Sequence, residues 1–204
     1  MKIEFLGLLL SGTLLIACSN PGPAPNAVGS PTPSPSPAVT ASPMPANAPA
    51  DETAENDPGF EGTAGNTEKK NPNATGSAIL KDVRSARHGT YDRVVFEFEG
   101  KELPNYKIEY IDRPVRSCGS GEVVPFAGDA WLSVRFSGAN AHTDAGEATV
   151  KDRVRSPNLP IVKDLKLICD FEAEVEWVMG VSSPNKYRVM ELKSPTRLVV
   201  DIRH

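Results

Sequence analysis

From about residue 79 to the end of the chain, apolar and polar residues alternate in short runs that are separated by Gly, Pro, Ser and Asn. A period of two predicts strands with one buried face, and no stretch of 12 residues keeps the spacing of a helix. The predicted strands cover residues 80–86, 93–99, 106–111, 130–136, 187–192 and 197–203, with turns near 88–90, 100–104, 119–121 and 182–185. We therefore expect an all-β domain, a β-sandwich of about seven to nine mainly antiparallel strands.

The longest alternating run extends from Leu165 to Met179, with apolar residues at the odd positions and mostly charged residues between them. At about 3.3 Å per residue it would form one strand of about 50 Å, which is far longer than usual. The pattern predicts one strand with a bulge or bend around residues 170–173. Its apolar face belongs to the core and its charged face to solvent.

The beginning of the chain has a different pattern. The stretch from Phe5 to Ala17 is mostly apolar, but at about 13 residues it is too short to span a membrane and is typical of a signal peptide covering residues 1–17. It ends in Leu15-Ile16-Ala17-Cys18, which resembles the lipobox of bacterial lipoproteins. The resemblance implies cleavage before Cys18 and attachment of diacylglycerol to its thiol. The alternative is an ordinary secretory signal in which the cysteine falls by chance.

The lipobox resemblance also indicates a location. Ser19, and not Asp, follows the cysteine, which favours the outer membrane, facing the periplasm, in a bacterium with two membranes. In a bacterium with one membrane, the expected location is the outer face of the cell membrane. We thus expect a cell-envelope protein whose partner is a membrane, reached through the lipid.

Residues 18–77 carry 12 of the 19 prolines and almost no large apolar side chains. Such a segment buries too little surface to offset its ordering entropy, so it is predicted to be a disordered linker between the lipid and a domain at 78–204. The alternative is that its proline-rich stretch, residues 30–37, is a ligand for an aromatic groove.

The formal charge is −4, and the excess of acidic residues lies between Asp51 and Glu68. The remainder from residue 78 onward is neutral and has no block of Lys or Arg. Because nucleic-acid binding requires a basic surface, that class of partner is excluded.

Two segments of the domain resemble each other, DRVVFEF at 92–98 and TRLVVDI at 196–202. If they pair side by side and antiparallel, Arg93 lies opposite Asp201 and Arg197 lies opposite Glu97, and both pairs attract. We expect the two arginines to be structural. The alternative is that Arg93 and Arg197 lie in an open groove and bind acidic groups of a ligand.

These segments belong to a larger set: DRVVFEFEG, PNYKIEYIDRPVR, GSGE, AGDAWLSVRF, DFEAEVEWVMG and TRLVVDI. Together they resemble the AMIN-like domain of bacterial lipoproteins over nearly all of the chain after the linker. The resemblance implies a β-sandwich and a non-catalytic module that binds peptidoglycan or an envelope protein. A second hypothesis is an assembly lipoprotein that docks an envelope complex, and a third is a carbohydrate-active hydrolase.

The residues offer little catalytic chemistry. His88, His142 and His204 have no metal-binding spacing, so no metal or cofactor is expected. Gly119-Ser120-Gly121 lacks the spacing of a nucleophile elbow and is typical of a turn. The hydrolase hypothesis depends on an acidic row at alternate strand positions, where neighbours lie about 6.6 Å apart; a solvated strand face is the simpler interpretation. The row consists of Glu172, Glu174 and Glu176.

Cys118 and Cys169 remain once Cys18 is assigned to lipid. In an oxidising envelope they are candidates for one disulfide, worth about 4 kcal/mol for a loop of this length. The alternative is two free thiols, with Cys169 a small core residue in its alternating run.

Overall fold

The computed structural model describes residues 59–74 and 76–204. The predicted signal peptide, Cys18 and most of the predicted linker lie outside this part, and so do not enter the description. Among the described residues, no helix is long and apolar enough to cross a membrane.

The described part of the chain folds into eleven strands, of which eight have six residues or more. The predicted strands are confirmed, with ends that differ by a few residues. Their bounds are β1 Thr67–Lys69, β2 Ala78–His88, β3 Tyr91–Phe98, β4 Asn105–Ile111, β5 Ala130–Ser137, β6 Ala139–Asn140, β7 Val154–Arg155, β8 Val162–Phe171, β9 Glu174–Val181, β10 Tyr187–Leu192 and β11 Thr196–Arg203.

The strands form two sheets, one of six strands in the order β1-β4-β5-β9-β8-β7 and one of five in the order β10-β11-β3-β2-β6. All pairings between the described strands are antiparallel except that of β2 with β6. The inner faces meet through aromatic rings: Phe136 lies 5.2 Å from Phe96 and 4.9 Å from Phe98 between ring centroids. This is the predicted β-sandwich.

Alternation explains which side chains form the core. In β3, Val94, Phe96 and Phe98 are buried, while Val95 and Glu97 between them are half-buried on the outer face. Burying a side chain of this size contributes about 1.5–3 kcal/mol, so the two-residue period fixes which face of each strand turns inward.

The strand predicted for residues 165–179 is a hairpin, so that prediction is wrong. β8 and β9 are joined by Glu172 and Ala173, both of which have positive φ (51° and 59°), as a two-residue hairpin turn requires. Such a turn exchanges odd and even positions between the two faces, but a register shift between Leu167 and Cys169 exchanges them back. Leu165 and Leu167 before the shift therefore face the core, as do Val175 and Trp177 after the turn. The sequence shows one unbroken alternation, although Cys169 and Phe171 between them do not face the core.

The linker prediction is wrong for residues 59–74, which lie on the domain. β1 pairs with β4, and Thr63 exchanges backbone hydrogen bonds with Tyr187 at 2.9 and 2.8 Å. Phe60 packs near Tyr91, with ring centroids 6.1 Å apart. An edge strand is held by backbone hydrogen bonds, so it needs few apolar side chains, and a scan for hydrophobic periodicity does not detect it.

Candidate functional site

The outer face of the six-stranded sheet has a covered half and an open half. Over the covered half lies loop 112–129, which connects β4 with β5. Val115 of this loop forms a second apolar cluster with three buried residues of the sheet, Trp131, Ile168 and Val178. The backbone of Ala127 comes so close to Gly180 that a Cβ atom at position 180 would collide with its carbonyl oxygen. Glycine at this position therefore permits the loop to lie flat on β9.

Cys118 and Cys169 are joined by a disulfide, with their Cα atoms 5.2 Å apart and 51 positions apart in sequence. The register shift in β8 turns Cys169 to the outer face, where it meets the loop. The backbone amide of Cys118 also donates to the carbonyl of Ile168 at 3.1 Å. The disulfide thus fastens loop 112–129 to the sheet at the border between the two halves.

The open half is a groove of about 540 Å³. It crosses the strands of the sheet, and the disulfide contributes to its wall. A cross-strand row of residues in direct register forms its floor: Glu68, Lys107, Arg135, Glu176 and Cys169. Lys70, Asn105, Ser137 and Glu174 extend the lining.

The charges in this row are only partly matched. Arg135 donates from Nη2 to Glu176 Oε2 at 2.8 Å, and Ser133 Oγ donates to the other oxygen of Glu176 at 2.6 Å. Lys107 Nζ lies 2.7 Å from Glu109 Oε1. Lys107 and Arg135 are nevertheless directly opposite each other on neighbouring strands, an arrangement of like charges that destabilises a sheet.

The predicted acidic row is not a row on one strand, since Glu172 lies in the hairpin turn. Glu174 and Glu176 remain on the outer face of β9. Glu176 is nearly buried and held by Arg135 and Ser133, so it already has its hydrogen-bonding partners. This geometry does not favour the hydrolase hypothesis, which needs two carboxylates that address a substrate.

The two repeated segments pair in the predicted register, with Arg93 opposite Asp201 and Arg197 opposite Glu97. Arg93 donates to both oxygens of Asp201, from Nε at 2.7 Å and from Nη2 at 3.1 Å. Arg188 of β10 donates to the same carboxylate at 2.9 Å. The hydrogen bonds with Asp201 raise the pKa of Arg93 above its ordinary value. Arg93 therefore serves the fold, because its guanidinium is held by Asp201.

The second expected ion pair is not formed, so that part of the prediction is wrong. Arg84 of β2, the other neighbour of β3, donates to Glu97 at 2.9 Å. Arg197 Nε instead donates to the carbonyl of Pro195 at 3.3 Å. β3 is a central strand, so Glu97 has two neighbouring strands that can supply a cation, and the sequence repeat identified only one of them.

The histidines belong to the fold. His204 Nε2 lies 2.9 Å from Asp92 Oδ1, and Asp92 also accepts from the backbone amides of Ile161 and Val162. His142 Nδ1 lies 2.8 Å from Asp170 Oδ1, and the ring of His88 stacks on Tyr91. Within the part of the chain that the structure describes, no group of three or more His, Cys, Asp or Glu could hold a metal ion.

Sequence reasoning did not identify the basic residues of the groove. Lys107 and Arg135 occupy polar positions in two predicted strands, as many surface residues do. Their contact depends on the pairing of β4 with β5, which a loop of 18 residues connects, and no turn signal in the sequence sets that register. The useful signal would have been a basic residue at an outward position of each of two consecutive strands.

The geometry defines a β-sandwich with a charged groove on one sheet. The family model of the AMIN-like domain matches residues 78–204, and the chain belongs to this family. No curated protein and no solved structure shows significant similarity to the chain. The 59–74 segment, with β1, lies before the matched region and completes the six-stranded sheet.

Proposed function

We propose that this protein is a lipid-anchored lipoprotein of the bacterial cell envelope whose AMIN-like domain is a non-catalytic module that binds peptidoglycan. Membership of the AMIN-like family supports a module of the envelope. The observation that carries the binding role is the groove on the six-stranded sheet, where two like charges lie side by side in a space of about 540 Å³.

A site of this kind suits binding better than catalysis. Lys107 and Arg135 repel each other in the free protein, and a ligand that brings negative charge relieves this repulsion. Glu176 fixes the guanidinium of Arg135 from one side, so the group is oriented before the ligand arrives. The groove crosses the strands from Glu68 to Cys169, as suits an extended ligand.

The anchor is proposed from the sequence Leu15-Ile16-Ala17-Cys18. Two or more acyl chains hold a protein stably on a membrane, whereas a single chain does not. The residues from Cys18 to the first described residue, Gly59, would allow the domain to reach the cell wall while the lipid remains in the membrane. The expected position is the outer membrane, facing the periplasm, or the outer face of the cell membrane in a bacterium with one membrane.

Two measurements test this function. The Cys18→Ser variant should accumulate as an uncleaved precursor without diacylglycerol, as mass spectrometry of the whole protein would show; a normally processed variant would disprove the anchor. The full chain, purified in detergent, should sediment with insoluble peptidoglycan. Recovery of all the protein in the supernatant at low salt would disprove the binding role.

The docking of an envelope protein is a second candidate function. It is favoured by residues 123–126 of loop 112–129, which are all apolar and all at least partly exposed, with Val123 54% exposed. Contiguous exposed apolar residues are typical of protein contacts. In-cell photocrosslinking from position 123, compared with position 147 on another loop, would identify such a contact as a discrete crosslinked species.

A further inference from the structure

The opposed cations of the groove have unused donors. Arg135 bonds to Glu176 through Nη2 alone, and its side chain is 55% exposed. In the described part of the chain, its other two guanidinium nitrogens have no acceptor. Lys107, with a side chain 41% exposed, lies across from it at about 4.5–5.5 Å between Cβ atoms. An ionised carboxylate between them would accept charge-assisted hydrogen bonds from both.

The neighbouring strand supplies the opposite charge. Glu174 is opposite Ser137 and accepts a hydrogen bond from its hydroxyl at 3.1 Å. No cation pairs with Glu174 among the residues that the structure describes. Its charge is therefore available to a ligand, at the end of the groove nearest the β8–β9 turn.

The distance between the two poles follows from the sheet. Arg135 and Glu174 are one strand apart, at about 4.8 Å, and two residues apart along the strand, at about 6.6 Å. The diagonal is about 8 Å. A ligand that reaches both poles has a carboxylate and a primary amine several bonds apart, as in a peptide that ends in a diamino acid.

On this geometry, and resting on the proposed function, we infer that the groove binds the peptide stems of peptidoglycan and not its glycan strands. The carboxylate of a stem lies between Lys107 and Arg135, and the side-chain amine of its diamino acid lies at Glu174. Tyr106 is the one aromatic residue that borders the groove, but its side chain is buried in the core and its hydroxyl donates to Glu191 of the other sheet at 2.8 Å. The lining therefore offers charges, whereas a neutral sugar chain would be recognised through ring faces and uncharged hydrogen bonds.

The test uses the full chain in detergent and four probes. These are intact insoluble peptidoglycan, glycan strands stripped of peptides, a soluble stem peptide that ends in a diamino acid, and the same peptide with its side-chain amine acetylated. The variants Arg135→Gln, Lys107→Gln and Glu174→Gln are each compared with a matched control on another surface, Arg87→Gln, Lys81→Gln and Glu147→Gln.

We expect the soluble stem peptide to bind, and Arg135→Gln or Lys107→Gln to weaken it roughly tenfold or more, the effect of losing one charge-assisted hydrogen bond. The control variants should bind as the unaltered protein does. Glu174→Gln should weaken binding of the free-amine peptide and leave binding of the acetylated peptide unchanged. A structural effect would weaken both peptides equally, so this difference isolates the contact with the amine.

Each contrary result has a distinct meaning. Stripped glycan strands that bind as tightly as intact peptidoglycan would overturn this inference and leave the proposed function in place. Absence of binding to every probe would overturn both. An acetylated peptide that binds unaltered protein as tightly as the free-amine peptide would disprove the role of Glu174. Equal losses of affinity in Arg135→Gln and Arg87→Gln would show that the electrostatic attraction is unspecific. An unchanged melting temperature of Lys107→Gln would rule out unfolding as the cause of its lower affinity.

Discussion

The outer faces of the two sheets both carry arginine and acidic residues in cross-strand register, yet they use them differently. On the five-stranded sheet, Asp201 is fully buried between Arg93 and Arg188, and the side chain of Arg93 is only 14% exposed. On the six-stranded sheet, Arg135 is more than half exposed and lies opposite another cation, Lys107.

The difference lies in how the charges are matched. Two arginines share one carboxylate on the five-stranded sheet, in a geometry that leaves both oxygens of Asp201 occupied. Such a group stabilises the fold and offers little to a ligand. In the groove, like charges adjoin and Glu174 pairs with no cation among the described residues, so favourable interactions remain to be made. Charges that are buried and fully paired stabilise the fold, whereas exposed and only partly paired charges in a concave surface indicate a binding site.

The largest expected effect is that of Asp201→Asn. It removes the buried carboxylate that Arg93 and Arg188 share, and breaking a buried ion pair in this way costs about 3–5 kcal/mol. Urea denaturation at neutral pH should show the loss in the free energy of unfolding. Asp144→Asn, on an exposed loop, is the control and should change it little. A loss below about 1 kcal/mol in Asp201→Asn would mean that the ion pairs of Asp201 contribute no more to stability than ordinary surface ion pairs.

The next effect concerns the covered half of the six-stranded face. Cys118→Ser removes the disulfide with Cys169 and should lower stability by about 2–4 kcal/mol, because the unfolded chain regains the freedom of a long loop. Hydrogen exchange should accelerate at Val124, whose amide donates to Val115 within the loop, before it does in β3. Reduction of the unaltered protein should reproduce the result. If hydrogen exchange accelerated equally in both sheets, the loop would not be a unit that unfolds separately from the sandwich.

Asp164 gives a pH-dependent test of matched charge on the same sheet. Burial alone would raise the pKa of Asp164, but hydrogen bonds from Lys166, Ala127 and Ser156 outweigh it and hold that pKa below its ordinary value. A carboxyl group with a lowered pKa stabilises the folded state above about pH 4, and this contribution is lost as the pH falls below that value.

Asp164→Asn should therefore lower the free energy of unfolding by about 1–3 kcal/mol at pH 7, the cost of hydrogen bonds to a charged group. The curves of the variant and the unaltered protein should converge as the pH falls below about 4. Denaturation measured at several pH values would check this. If the difference in free energy of unfolding between the two proteins stayed constant with pH, the loss would come from disturbed packing around the amide and not from the lost charge.

The smallest effect is expected for Arg197→Gln. The side chain contacts only the carbonyl of Pro195 among the described residues, and Glu97 already pairs with Arg84. The free energy of unfolding should change by less than about 0.5 kcal/mol, and binding to peptidoglycan should not change. Arg84→Gln is the informative partner variant, since it removes the cation that Glu97 does use. A larger effect of Arg197→Gln than of Arg84→Gln would reverse the assignment of that ion pair.

Much of the sandwich follows from the sequence, since inward and outward positions alternate in each strand. The register of β3 with β11 was also predictable, because complementary charges at the ends of two similar segments favour one antiparallel arrangement. The hairpin of β8 and β9 was not. The turn and the register shift beside it each exchange the faces of odd and even positions, and the two exchanges cancel. The alternation in the sequence therefore predicts a single strand.

The alternating pattern along the chain is enough to predict the class of fold, the strands of the core and the position of the repeated segments, because burial of alternate side chains is a local requirement. Only the tertiary structure placed Lys107 beside Arg135, turned Cys169 toward Cys118 and added residues 59–74 to the sheet. The first and the last of these depend on pairing between strands that are far apart in the sequence, and the second depends on the register shift in β8. The energy of such pairing lies in backbone hydrogen bonds that any sequence can make. The groove is formed from such pairings, so its charges meet only in the folded protein.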